Sequence, residues 1–534
     1  YRIGRSELPE GSKMLFYGDG KTASVALYEG PGVEGHRSIA TNGKVDAAIT
    51  TLWGAPTSPD EFTMTLAAAI PLAISKDPKS VAVIGFGSGM TAHTFLGSDR
   101  VEHMDVVEIE PLMVAASHHF GERVERVYSD PRARIVIDDA KAYLAGGART
   151  YDVIVSEPSN PWMGGTAALF SEEFYRFIPQ HLSPDGVFVQ WLQLYEISPD
   201  LVASVLKAML PRFNDVHAYL TNRSDVLLVA TPNGRLPTAL QIFDRDPRLK
   251  AELARIDVRS DEDLREFYLL DKSSLEAIAS TGALPANSDF FPILQIEAPK
   301  ARFMNLSAQD IPAMQIAPWP MLEAIAGYAP MPVSRAMSLV PSTAWRDSGH
   351  RIARELRTAL VSGAPVFAQF TPEDLLAWFN VVQSIARACQ FEDSGSAWVE
   401  SSAAVAGATI PYLSADDLKG VWIEPSWLGD CRVTDPLVVR TLSFYSALAA
   451  RDWQRVGGEG IALLTDPHTT GLNALRSYVL GATELAALTL GEFEAVSRIE
   501  ASFGSSVRGY ELERRWLLAF AAFRAAQVGD KPRG

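Results

Sequence analysis

The chain has 534 residues, of which 47% are apolar, and a formal net charge of −16 at pH 7. This size and composition predict two or three domains with sizeable cores, and the acidic surplus argues against a nucleic-acid partner, which would require basic surfaces. The two cysteines, Cys389 and Cys431, provide neither a disulfide framework nor a metal cluster, so the sequence predicts a reducing compartment and no bound metal.

Residues 1–75 carry short alternating stretches that are typical of β strands. Residues 24–28 form one such stretch, and Asn42-Gly43 is a two-residue turn signal. The sequence therefore predicts a small N-terminal β-hairpin region. The most apolar run, 64–74, is too short to span a bilayer and contains Pro71.

Residues 76–303 alternate apolar strands with helical stretches. Residues 81–84 lead into Gly85-x-Gly87-x-Gly89, and later strands end at Glu108, near Asp139, at Glu157 and at 191. This alternation predicts an α/β fold with a Rossmann-like, doubly wound parallel sheet. Ligands bind at the carboxyl ends of such strands, so we expect the glycine turn and the acids to converge on one crevice.

The glycine turn and Glu108 predict an adenosine-containing cofactor. Glycines admit a ligand close to the backbone, and an acid at the next strand end can accept both ribose hydroxyls. The turn lacks the G-x-G-x-x-G spacing that seats a pyrophosphate, which favours S-adenosylmethionine or a relative over a nicotinamide cofactor. Glycines placed for packing alone remain an alternative, and Asp139 also suits a helix N-cap.

Four segments in order, VAVIGFGSG, VVEIEP, DPRARIVIDDA and YDVIVSEPSNPW, resemble spermidine synthases, the polyamine aminopropyltransferases, over about residues 14–303. FVQWLQLY and NSDFFP resemble the subgroup found behind membrane-spanning segments in large bacterial proteins. The resemblance implies that Glu108 binds ribose, that Asp139 and Ala140 form the adenine turn, and that Ile109 packs on the adenine ring. It also implies a cytoplasmic location, at the membrane face if a longer parent protein supplies an anchor absent from this chain.

Departures from that family shift the predicted reaction. Ser88 stands where the family has the Asp that holds the amine of decarboxylated S-adenosylmethionine, Asn160 replaces one of two acids, and residues 63–65 lack the family's Tyr, His or Gln, and acidic residues. Each change removes charge from a place meant for cations, which favours intact S-adenosylmethionine and methyl transfer to a small neutral or thiol acceptor.

Glu157 would act as base or orienting group beside Asn160. The predicted cofactor contacts are Gly85, Gly87, Ser88, Gly89, Glu108, Ile109, Asp139 and Ala140, and the predicted acceptor pocket is Met64, Trp162, Met163, Gln190, Gln193, Tyr195 and Asp289.

Two other functions stay open. One is aminopropyl transfer from decarboxylated S-adenosylmethionine, with the amine site rebuilt through Asp289 or Glu61. The other is a non-catalytic scaffold with a cofactor-binding fold. Independently of these functions, a loop-capping role or binding of the methionine amine is an alternative for Glu157, and a core-packing role is an alternative for Trp162.

Residues 304–534 are predicted to form an α-helical domain. A pattern around Ala447, Trp453 and Val456 recurs forty residues later around Ala487, Phe493 and Val496. This period is typical of helix-pair repeats similar to tetratricopeptide units, although ordinary amphipathic helices also produce it. A repeat surface would bind a protein partner or a second subunit, whereas a plain helical domain would support the catalytic domain.

Overall fold

The computed structural model describes residues 10–147, 149–328, 330, 347–366, 369 and 371–529. The chain divides into two compact units, with the division after Gln309. The first unit contains both β sheets, and the second is helical. The first nine residues of the predicted N-terminal β region lie outside the described residues.

The N-terminal sheet is a four-stranded antiparallel meander in the order β1-β2-β3-β4. Its strands are β1 (Lys13–Asp19), β2 (Ser24–Glu29), β3 (His36–Thr41) and β4 (Lys44–Thr50). The turn between β3 and β4 is Asn42-Gly43, and both residues have positive φ, 48° and 77°. Such a turn matches the twist of a hairpin, so the sequence signal at this position is confirmed.

The central sheet has eight strands in the order β12-β10-β11-β9-β8-β5-β6-β7. Strands β5 to β9 pair in parallel, as the sequence predicts, whereas β10, β11 and β12 add an antiparallel edge. The fold is thus mixed α/β. The strands are β5 (Ser80–Ile84), β6 (His103–Glu108), β7 (Ala133–Ile137), β8 (Tyr151–Ser156), β9 (Leu182–Gln193), β10 (Asp215–Leu220), β11 (Asp225–Thr231) and β12 (Tyr268–Leu270).

The long helix α1 (Pro59–Ile74) connects the two sheets and is almost entirely buried. Its apolar side chains join those of β5, β6 and β8 in the core of the unit, which holds the start of the helix against the crevice. The other α helices here are α2 (Met90–Phe95), α3 (Pro111–Ser117), α4 (Arg126–Ser129), α5 (Ala140–Ala145), α6 (Glu172–Phe177), α7 (Pro199–Met209), α8 (Lys250–Arg255), α9 (Lys272–Thr281) and α10 (Ile293–Phe303).

The second unit contains pairs of antiparallel helices joined by short turns. The predicted repeat falls on two such pairs, and in each pair an equivalent turn residue, Arg451 or Gly491, has positive φ. Asp452 and Glu492 donate their backbone N–H groups to the carbonyls of Ala447 and Ala487, each at 2.9 Å. The helices are α11 (Met321–Ala326), α12 (Asp347–Ser362), α13 (Glu373–Ala388), α14 (Phe391–Thr409), α15 (Pro436–Ala449), α16 (Trp453–Thr465), α17 (Asn473–Thr489), α18 (Phe493–Phe503) and α19 (Glu511–Gly529).

The structure corrects one prediction in this unit. Cys389, at the end of α13, and Cys431 form a disulfide with their Cα atoms 5.5 Å apart. Forty-two positions separate the two cysteines, and a single widely spaced pair carries no recognisable framework in the sequence. The bond removes the reason for predicting a reducing compartment.

Within the described residues, no helix combines the length and the apolar character that crossing a membrane demands.

Candidate active site

A cavity of about 820 Å³ opens at the carboxyl ends of β5, β6 and β8. The N-terminal sheet, the start of α1 and the loop before β11 complete its wall. Ten residues predicted from the sequence border this cavity: Met64, Gly85, Gly87, Ser88, Glu108, Ile109, Glu157, Asn160, Met163 and Tyr195.

The glycine turn directly after β5 brings two loops into contact. Gly85 has φ of 93°, and a Cβ atom at this position would lie 2.3 Å from the carbonyl oxygen of Glu157. The backbone N–H of Glu157 donates to the carbonyl of Ile84 at 2.9 Å. A glycine is therefore required here by the close approach of the β8 loop as well as by φ.

Glu108 lies at the end of β6 with 8% of its surface exposed. Its Oε2 accepts from the backbone N–H of Phe86 at 2.8 Å, and its Oε1 accepts from that of Glu110, also at 2.8 Å. Burial raises the pKa of Glu108, and these backbone donors oppose the rise. The carboxylate shapes the glycine turn and keeps further lone pairs that could accept ribose hydroxyls. Ile109, 51% exposed, borders the cavity next to it.

Glu110 also borders the cavity, although it was not predicted from the sequence as a site residue. Its Oε2 accepts from the backbone N–H and the hydroxyl of Thr22, at 2.9 and 2.8 Å. Thr22 belongs to the β1–β2 turn, so this carboxylate ties the N-terminal sheet to the end of β6. The second acid of the pattern Glu108-Ile109-Glu110 was the signal that could have revealed it.

Glu157 follows β8 and faces the cavity. The Thr91 hydroxyl lies 2.6 Å from its Oε2. Burial raises the pKa of Glu157 to about 7, and the negative charges of Asp225 and Asp60 add to the rise. A carboxyl group that titrates near neutral pH is suited to accepting a proton during a reaction.

Asn160 and Tyr195, which the sequence assigned to the reaction site and the acceptor pocket, lie together at the cavity wall. The Asn160 amide donates to the Tyr195 hydroxyl at 3.2 Å. Trp162 does not border the cavity; it packs edge-on against Tyr195, with ring centroids 6.4 Å apart, and beneath the guanidinium of Arg302. On the opposite side, the hydroxyl of Ser88 lies 2.9 Å from the sulfur of Met64.

Three acids that were not singled out in the sequence border the cavity: Asp46 in β4, Asp60 in α1 and Asp225 in β11. The negative charges of all three add to the rise that burial causes in the pKa of Tyr195. Burial raises the pKa of Asp46 to about 6 and that of Asp60 to about 7, and it also raises the pKa of Asp225. Among the described residues, Oδ2 of Asp46 and Oδ1 of Asp225 are buried without a hydrogen-bond donor. We call Asp46, Asp60 and Asp225 the acid cluster.

The acid cluster places negative charge in the cavity, whereas the departures from the family at Ser88, Asn160 and residues 63–65 predicted a loss of charge. Its three members, rather than Asp289 or Glu61, supply the acids that a rebuilt amine site would need. Asp289 is at the protein surface, paired with Lys141 at 2.7 Å, and Glu61 is paired with Arg123 at 2.6 Å inside the core. Neither of the two borders the cavity.

Gln190 and Gln193, which were predicted to line the acceptor pocket, do not line the cavity. Both are fully buried in β9. The Gln190 amide donates to backbone carbonyls of Ser156 and Trp191. The side-chain amide of Gln193 is buried without a hydrogen-bond partner among the described residues. Alternation along a strand places such residues on either face, and the sequence alone did not distinguish the faces.

Three predicted cofactor contacts do not line the cavity: Gly89, Asp139 and Ala140. Gly89 is the N-cap of α2 with φ of 84°, and a Cβ atom there would meet the Phe86 ring at 2.9 Å, so backbone conformation and packing explain this glycine. Asp139 caps α5 by accepting from the backbone N–H of Ala142 at 2.9 Å, and Ala140 is the buried first residue of that helix. The adenine role of Asp139 and Ala140 stays a prediction.

The chain is similar in sequence to known proteins of one family. Residues 63–223 match the Spermine/spermidine synthase domain. A polyamine aminopropyltransferase of Caldicellulosiruptor bescii is 30% identical over 213 residues, which cover 40% of this chain and 72% of that protein. Another, of Aeropyrum pernix, is 27% identical over 277 residues, covering 51% and 83%. The crystal structure of spermidine synthase from Thermotoga maritima aligns with a TM-score of 0.35 at 25% identity, covering 41% of this chain and 73% of that one.

The relationship to the Caldicellulosiruptor bescii protein extends over most of that protein's length. The residues that match the domain include the glycine turn, Glu108 and Glu157, which border the cavity. This chain therefore belongs to the spermine/spermidine synthase family of transferases.

Proposed function

We propose that this chain is an aminopropyltransferase that moves an aminopropyl group from decarboxylated S-adenosylmethionine to a cationic amine. The observation that carries the proposal is the acid cluster together with Glu157. Among the described residues, one oxygen of Asp46 and one of Asp225 are buried without a hydrogen-bond donor, which is costly to a folded protein. A bound ammonium group would supply a compensating positive charge and the missing hydrogen bonds. Clusters of such perturbed acids in a cavity are typical of functional sites.

The positions of the two ends of the cavity fit this reaction. Glu108 and the glycine turn would hold the adenosine part of the donor, and the acid cluster would hold the acceptor. Glu157 lies between them, within reach of the charges of Asp60 and Asp225. The donor's reactive carbon would then meet the acceptor's amine beside the Glu157 carboxylate.

The proposed step is a single displacement. The neutral amine nitrogen attacks the methylene carbon next to the sulfonium, and a C–N bond forms as the C–S bond breaks. The electron pair of the broken bond stays on sulfur, which becomes a neutral thioether. The new ammonium group gives one proton to Glu157, which releases it to solvent.

Methyl transfer, the function favoured from the sequence, receives no support from the names of the relatives. Its remaining argument is Ser88, which stands in the glycine turn where an acid would hold the donor's amine. The acid cluster weighs against it, because the carboxylate of intact S-adenosylmethionine would enter a cavity that already contains several acids. Aminopropyl transfer fits both the family and the cavity better.

The test combines donor binding with product analysis. Calorimetry of the purified chain should show tighter binding of decarboxylated than of intact S-adenosylmethionine, and mass spectrometry should detect aminopropyl addition to 1,4-diaminobutane. D225N should lose this product, while D185N, at an exposed position outside the cavity, should retain it. Tighter binding of the intact donor, with methylated products, would overturn the proposal.

A further inference from the structure

Lys44 brings a positive charge to the acceptor side of the cavity. It is the first residue of β4, directly after the Asn42-Gly43 turn, and it borders the cavity. Its Nζ atom lies 5.1 Å from the centroid of the Tyr195 ring and donates to the carbonyl of Val45 at 2.9 Å. Within the described part of the chain, no carboxylate oxygen lies within 4.0 Å of this nitrogen.

The surroundings of Lys44 are those that would bind an ammonium ligand. Its charge acts on all three members of the acid cluster and lowers their pKa values against the effect of burial. An ammonium group over a tyrosine face and among carboxylates is favourable. The ammonium group of Lys44 therefore fills space beside the acid cluster and balances part of its negative charge, which a cationic group of an acceptor would otherwise do.

The position of Lys44 among the acids limits how many ammonium groups of an acceptor the cavity can hold. The other groups that face Lys44 are Asp46, Asp60, Asp225 and Tyr195, and Arg223 adds a second cation at the cavity wall. An acceptor with one ammonium group besides its reacting amine can share the acid cluster with Lys44. A longer acceptor with two such groups would place one of them against Lys44, and like charges at close range are repulsive.

We propose that Lys44 determines acceptor specificity by taking the place of one cationic group, so that the site accepts a diamine and discriminates against a triamine. This inference rests on the proposed function, since it concerns the acceptor of that reaction. Lys44 acts as a specificity-determining residue, and the acid cluster remains the binding element.

The test is a competition between 1,4-diaminobutane and its N-aminopropyl derivative, a triamine, with decarboxylated S-adenosylmethionine as donor. The wild-type chain should prefer the diamine in kcat/KM. K44M and K44Q should shift the ratio of the two kcat/KM values towards the triamine by about tenfold or more, the effect of relieving one like-charge contact. K44R keeps the charge and should keep the wild-type preference.

K13M is the matched control, because Lys13 is an exposed lysine of the same N-terminal sheet and lies outside the cavity wall. It should leave the ratio unchanged. An unchanged ratio in both K44M and K44Q, or a shift in K44R equal to theirs, would overturn the role of Lys44.

A second measurement separates this inference from the proposed function. Calorimetric binding of the diamine and the triamine needs no transfer, and K44Q should strengthen triamine binding relative to diamine binding by a similar factor. If the wild-type chain binds both amines but transfers no aminopropyl group, the proposed function fails while the role of Lys44 is still decided by these affinities. If the affinity ratio is the same in K44Q and the wild type, the inference about Lys44 fails regardless of activity.

Discussion

Replacing Asp60 with Asn is expected to stabilise the ligand-free chain at about pH 8 and to weaken its binding of cationic amines. Burial, with the nearby charge of Asp225, raises the pKa of Asp60 from 3.8 to about 7. Asn has nearly the same shape, and its amide oxygen can still accept from the backbone N–H of Ala48, which donates to Asp60 Oδ2 at 2.8 Å. The substitution therefore removes mainly the buried charge.

The size of the effect follows from the raised pKa. A rise of about three units corresponds to about 4 kcal/mol, and because Asp60 borders the open cavity we expect about 2 to 4 kcal/mol. Below about pH 4 the folded and unfolded chains both hold the proton, and the charge costs nothing. Between about pH 4 and 7 the unfolded chain loses the proton first, so wild-type stability falls as pH rises; above about pH 7 the full cost is present.

The assay is urea unfolding of the wild type, D60N and the exposed control D185N at several pH values between about 4 and 8. The free energy of unfolding of D60N should exceed that of the wild type at about pH 8, and the difference should disappear near pH 4. Calorimetry at about pH 8 should show weaker diamine binding by D60N. Equal stability of D60N and the wild type at high pH, or an equal difference at every pH, would refute the reasoning.

Three further predictions concern other residues. E157Q should lower kcat by about 10²-fold or more with little change in donor affinity. The activity of the wild type should rise with pH through about 7, where the Glu157 carboxyl ionises. A pH profile without this rise would contradict the role of Glu157 as the base. E108Q should weaken donor binding by about tenfold or more, since a ribose acceptor is lost, and unchanged affinity in calorimetry would exclude the ribose role. C389S should lower the unfolding free energy of the second unit by about 2 to 4 kcal/mol, and a reductant should reproduce this loss in the wild type but change nothing in the variant.

The proposed donor side of the site could be predicted from the sequence because its residues stand at the carboxyl ends of recognisable apolar strands. Gly85 and Glu157 directly follow β5 and β8, and Glu108 is the last residue of β6. Parallel strands bring such positions to one edge of the sheet. The strands β5 to β9 were recognisable for the same reason, since each is a short apolar run followed by a helical stretch.

The acceptor side could not be predicted in this way. Asp46, Asp60 and Asp225 come from a hairpin strand, a helix start and an antiparallel strand, and they meet only after the N-terminal sheet and α1 have packed on the central sheet. In the sequence each looks like an ordinary surface acid. The absence of family acids at Ser88, Asn160 and residues 63–65 was interpreted as an absence of charge, although other segments supply acids to the cavity.

The contact between Gly85 and the Glu157 carbonyl has an evolutionary consequence. It couples the donor cradle and the proposed base through a single backbone approach, so neither loop can drift without moving the other. Changes in acceptor preference would therefore accumulate more readily on β4, α1 and β11, whose acids and Lys44 can be exchanged without disturbing that approach. The fold in this way separates a half of the site in which two loops are held together by one backbone approach from a half to which separate elements contribute single side chains.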